Sequence, residues 1–212
     1  MRQAVDWFDF FARGAGVIAL VAASCGSALS DDRTGSIREA HLTYAGSYSF
    51  SDELGGFRIV SAGGIGTRED PIVIEQELFS SSPVTMIIRA TRPIRPFEHP
   101  EFYATGFIHM RLNILNNSGH GWVEFELELQ ERENVPSVFG DGLSFDQRKT
   151  DTGHVYSDRF TTFDRDFEPY DRLLYRNGTV DPLATATIGF FITDYTPKRQ
   201  FYLRADPRIP FS

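Results

Sequence analysis

The run Phe107-Ile108-His109-Met110-Arg111-Leu112-Asn113-Ile114-Leu115 and the later run Trp122-Val123-Glu124-Phe125-Glu126-Leu127-Glu128-Leu129-Gln130-Glu131 decide the fold class. In the first, Ile108, Met110, Leu112 and Ile114 alternate with His109, Arg111 and Asn113. In the second, Val123, Phe125, Leu127 and Leu129 alternate with Glu124, Glu126 and Glu128. A period of two puts each apolar set on one face of a sheet. The link Asn116-Asn117-Ser118-Gly119-His120-Gly121 is dense in residues that tolerate positive φ. The expected structure is an antiparallel hairpin pairing Leu115 with Trp122, Ile114 with Val123, Leu112 with Phe125, Met110 with Leu127 and Ile108 with Leu129. That register sets Arg111 opposite Glu126 and His109 opposite Glu128 as charge partners. A slip of one residue would bury glutamates.

Working outward, the chain reads as β from Tyr48 onward. Runs rich in Val, Ile, Phe, Tyr and Thr predict strands at 57–62, 72–79, 84–91, 107–115, 122–131, 155–162, 172–176, 184–193 and 200–205. No helical periodicity follows the first residues, so the expected architecture is all-β: an antiparallel two-layer sandwich of about eight or nine strands. Asn177-Gly178 predicts a tight turn. Gly66–Pro71 and Gly178–Pro182 read as turns entering strands. The three prolines of Arg92–Pro100 predict an extended crossover between sheets, and Glu131–Gly153 a long loop or irregular edge.

With 41% hydrophobic and 14% aromatic residues, a 212-residue chain has enough to bury and is not a disordered segment. Its formal net charge of −8 argues against nucleic acid as a partner and against docking on anionic lipid through a basic patch.

Residues 14–24, Gly-Ala-Gly-Val-Ile-Ala-Leu-Val-Ala-Ala-Ser, form an apolar run ending in small residues, shorter than the roughly 20 residues of a membrane span. The expected division is therefore a leader at 1–28, a linker or edge segment at 29–46 and a sandwich domain at 47–212. The leader is a signal peptide, a lipoprotein signal or an uncleaved anchor, the only membrane contact expected. Each alternative puts the domain in the periplasm, the outer envelope or the medium. Cys25 is the single cysteine, which excludes an intramolecular disulfide. Ala22-Ala23-Ser24-Cys25 resembles the lipobox of bacterial lipoproteins, with Ala22 where that pattern has leucine. The resemblance implies acylation at Cys25, while Gly26-Ser27-Ala28 reads equally as an ordinary cleavage site.

Asn117-Ser118-Gly119 followed by Trp122 and Phe125, with Pro169-Tyr170-Asp171 leading to Asn177-Gly178-Thr179-Val180, resembles segments of secreted bacterial β-sandwich proteins, including those with PEP-CTERM-type sorting tails. The chain departs from that family at Pro207–Ser212, where the family has an apolar helix and a basic stop. The resemblance implies an exported sandwich and no particular activity.

Site candidates are sparse. No histidine pair has helical zinc spacing, and His99 beside Glu98 and Glu101 is the nearest approach to a metal cluster. Asp164, Asp166, Glu168 and Asp171 alternate as calcium-type oxygen donors, although Pro169 occupies the EF-hand glycine position. Their alternation with Phe163 and Phe167 equally fits the polar face of a strand. There is no Gly-x-Ser-x-Gly elbow, and no cofactor motif is present. Trp122, Tyr103 and Tyr170 are candidate faces for stacking on a sugar or a protein partner. The expected function is a non-enzymatic envelope module binding a protein or glycan. The alternatives are an exported hydrolase with loop-borne carboxylates, carbohydrate-active in one form, and a structural subunit of an envelope assembly.

Overall fold

The computed structural model describes residues 42–146, 152–165 and 170–210. The leader, Cys25, Asp166 and Glu168 lie outside the described residues. In chain order the strands are β1 (Leu42–Ala45), β2 (Tyr48–Ser51), β3 (Phe57–Gly63), β4 (Ile72–Leu78), β5 (Val84–Ala90), β6 (Phe107–Asn116) and β7 (Glu124–Arg132). They continue with β8 (Val135–Pro136), β9 (Leu143–Phe145), β10 (Tyr156–Ser157), β11 (Phe160–Asp164), β12 (Arg172–Gly178), β13 (Thr185–Asp194) and β14 (Gln200–Arg208). Short 3-10 turns at Phe139–Asp141 and Thr152–His154 stand on either side of β9.

These strands form the two packed sheets of a β-sandwich. The larger has the order β1-β2-β5-β14-β7-β12-β11, with β8 added against β7. The smaller has the order β10-β13-β6-β4-β3, with β9 added against β13. All pairings between strands are antiparallel except that of β4 with β6. The chain leaves the smaller sheet after β4, forms β5 in the larger, and returns through residues 91–106 to β6. Two crossings restore its direction, so β4 and β6 run parallel. The returning segment is not extended as its prolines suggested. It folds into successive turns, with amides of Phe102 and Tyr103 bonded to the His99 carbonyl.

The expected hairpin does not form. β6 pairs with β13 and β4, whereas β7 pairs with β14 and β12 in the opposite sheet. Alternation fixes which side chains face inward but is silent on which strand lies alongside. The apolar sets of β6 and β7 both enter the core, facing each other across it instead of lying side by side. The link between them crosses from sheet to sheet. It is tied down by Asn116, whose amide donates to the carbonyls of His120 and Val180, and by paired backbone bonds between Trp122 and Val180. The charge partners differ accordingly: Glu126 pairs with Arg208, and Glu128 with Arg172 and Arg204. Asn177-Gly178 likewise makes no hairpin. Asn177 adopts φ 58 at the end of β12, and the chain runs on to Val180.

Ile72, Ile74, Leu112, Ile114, Ile188 and Phe190 from the smaller sheet meet Phe50, Ile88, Phe125, Leu127, Leu129 and Leu173 from the larger. Two tyrosines of the larger sheet reach across to backbone of the smaller. Tyr175 donates its hydroxyl to the Gly189 carbonyl at 3.0 Å, and the Tyr48 oxygen accepts from the Gly106 amide at 2.9 Å. Each gives a buried polar atom a partner and fixes the spacing of the layers.

Candidate functional site

The inward parity of β6 and β13 is occupied by Ile108, Met110, Phe190 and Ile192, so His109 and Phe191 point outward from the smaller sheet. They are direct cross-strand partners, and their rings stack 4.1 Å apart at 18°. The next pair along is Phe107 with Thr193. The Phe107 ring lies edge-on to Tyr195 at 5.2 Å and is tilted against Phe97 at 5.2 Å. Together these side chains floor and wall an open cavity of about 480 Å³.

Three loops raise the rim. Amides of Ile65, Gly66 and Thr67 converge on the Asp70 carbonyl, closing a turn that carries Thr67 and Arg68 to the cavity. The Gly66 carbonyl accepts from the His109 amide and anchors this turn to β6. Residues 91–106 supply Phe97, Glu98, Pro100 and Thr105. Phe97 is 74% exposed and sits at φ 67, a conformation costly for a bulky residue. Its ring packs against Phe107 and Tyr195 at the cavity wall. Asp146 closes one side, its amide bonded to the Phe191 carbonyl and its own carbonyl held by Arg165.

Burial, then the adjacent His154 and Arg68, pushes the His109 imidazole down to about 4, so the ring is neutral at physiological pH. The cavity thus combines flat apolar surfaces with a few polar groups: Thr67, Arg68, Glu98, Thr105, Asp146 and Thr193. Such a composition suits a ligand with both apolar faces and hydroxyls.

The sequence candidates lie elsewhere. Trp122 is a correction: it is fully buried, its indole N–H donating to the Ser118 hydroxyl and its ring against Phe125. The parity of β7 does not extend back to it, because the strand begins at Glu124. Tyr103 is half-buried under the Arg95 guanidinium, and exposed Tyr170 stacks on Arg172; neither lines the cavity. Asp164 faces Arg176 at 3.5 Å, while the backbone of Asp171 bonds to Ser137 and Leu129. Among the described residues no three His, Cys, Asp or Glu side chains gather as a metal site. His99 is exposed beside Glu101. His109 lies not beside Glu128 but against Phe191 and His154.

A wider groove of about 640 Å³ runs past Glu124, Arg176, Asp206 and Arg208 on the larger sheet. Its charges are already paired, Glu124 with both Arg176 and Arg208, and it has no comparable aromatic floor.

No family model, curated protein or solved structure matches the chain.

Proposed function

We propose that the protein is an exported β-sandwich module that binds a glycan of the cell envelope through the cavity on its smaller sheet. The observation that carries this reading is Phe97: an exposed aromatic on strained backbone, poised over a floor of Phe107, Phe191 and His109. Sugar rings present apolar C–H faces that stack on aromatic rings, and hydroxyls that bond to side chains such as Thr67, Arg68 and Asp146. Export is supported by the apolar run at 14–24 and its small-residue end. The test is a glycan array probed with the full chain and with Phe97→Ala: binding confined to the unsubstituted protein supports the reading, and equal signals from both overturn it.

A hydrolase is the second reading, favoured by one observation: Glu98 and Asp146, two carboxylates, line the same cavity. Release of reducing ends from a bound oligosaccharide, abolished in Glu98→Gln, would establish it. Binding without turnover supports the module.

A further inference from the structure

Beside the stacked pair on the cavity floor stands a third ring. His154, from the 3-10 turn Thr152–His154, tilts against both His109 and Phe191, with centroids 4.8 and 5.3 Å away. The two imidazoles face each other through their Nδ1 atoms, 3.3 Å apart.

We propose that His109 and His154 together bind a divalent transition-metal ion of the zinc type at the edge of the cavity floor. The nitrogen spacing of 3.3 Å fits a shared ion. Two nitrogens bound at roughly 2.0–2.1 Å with a tetrahedral angle stand about 3.3–3.4 Å apart, whereas N–H hydrogen bonds run from about 2.7 to 3.2 Å. A straight Nδ1–H···Nδ1 bond of this length would hold the ring centres about 5.6 Å apart, and two rings on one tetrahedral ion about 5.2 Å. The observed 4.8 Å is shorter than both and departs further from the straight hydrogen bond.

The surroundings suit such an ion. The Nδ1 atoms of both imidazoles point toward a common position beside the cavity floor. Phe191, stacked on His109, fixes that ring's plane. Two protein ligands, one fewer than in a catalytic zinc site, leave the remaining positions to water or to an oxygen of a molecule in the cavity. Imidazole ligation suits zinc, copper and nickel and disfavours calcium and magnesium.

The site is independent of what the cavity binds, and titration without any sugar tests it separately. The full chain, freed of metal by a chelator, is titrated with zinc chloride at neutral pH in a calorimeter. One ion per chain is expected, with affinity falling at least about tenfold in both His109→Gln and His154→Gln. Exposed His99→Gln should leave it unchanged. Circular dichroism establishes that each variant is folded; because His154 stands outside the strands, its variant decides if His109→Gln fails to fold. Absence of binding by the unsubstituted chain, or full binding by the His154 variant, would overturn the assignment.

Discussion

Phe191 lies flat against His109, ring centres 4.1 Å apart, on neighbouring strands and outside the core. Outward positions of a sheet are ordinarily polar, as they are on the larger sheet, where Arg208 pairs with Glu124 and Glu126, and Arg204 with Glu128. The outer face of the smaller sheet instead carries Phe107, His109 and Phe191 in a row. Residues 91–106 and the turn at 64–70 enclose that row rather than covering it. An aromatic row left open, with Phe97 packed against Phe107 beside it, is the feature on which the proposed binding rests.

Gly106 is where the crossover enters β6, and its place in the fold leaves no room for a side chain. It has φ +78, and a Cβ there would stand 2.3 Å from the Asp194 carbonyl oxygen, a backbone atom. Gly119 shares φ +78 but faces open space. Gly119→Ala is expected to destabilise by about 1 kcal/mol and Gly106→Ala by roughly 3 kcal/mol or more. Urea unfolding of the two variants checks the difference.

Burial raises the Tyr48 hydroxyl from 10.0 to about 12, against the lowering effect of its hydrogen bonds near Gly106. The folded state therefore holds its proton more tightly than the unfolded chain. The corresponding stability is fully present below pH 10 and is lost as pH rises through about 12, on the order of 2–3 kcal/mol. Tyr48→Phe should be less stable at neutral pH by about 1 kcal/mol, through the lost acceptor for the Gly106 amide. It should also lack this component of the alkaline decline. Chemical unfolding from pH 8 to 12 measures both effects.

Trp122 is a core residue, so Trp122→Phe is expected to cost about 1–3 kcal/mol from lost volume and the lost bond to Ser118. Its effect on ligand binding should be nil. A stable variant with impaired binding would restore Trp122 as a platform.

Glu128 is 3% exposed on its side chain and is held chiefly by Arg172. Arg172→Met should destabilise by roughly 2–4 kcal/mol, because it leaves a buried carboxylate with the neutral Gln130 amide at 2.7 Å and Arg204 3.9 Å away. The double variant Arg172→Met, Glu128→Leu should recover much of the loss. Thermal unfolding of the set gives the coupling.

The strands and their inward faces were legible in the sequence, because the period of two in Ile108–Ile114 and Phe125–Leu129 specifies which side chains face the core, although Glu126 and Glu128 on the outward side are buried as well. Pairing was not. The same alternation satisfies a neighbour in either sheet, and the link between β6 and β7 is fixed by contacts of Asn116 and Trp122 with Val180, a residue distant in sequence. The glutamates of β7 did read as charge-paired, but their arginines come from β12 and β14. The site was least legible. Its floor is formed by outward residues of β6 and β13, and its rim comes from three separate loops. The strained backbone that presents Phe97 leaves no mark in a single sequence. Outward Phe107, His109 and, beside the core residue Phe190, Phe191 were the available signal, aromatic side chains at positions where polar ones are the rule.

The most direct test is calorimetric titration of the full chain with the oligosaccharide giving the strongest signal on a glycan array, repeated with Phe97→Ala and Phe191→Ala. Binding is predicted to weaken at least about tenfold in each variant, with the melting temperature of Phe97→Ala nearly unchanged because that ring is 74% exposed. Unaltered affinity in both variants, or no glycan bound by the unsubstituted chain, would contradict the assignment of the cavity as a glycan site.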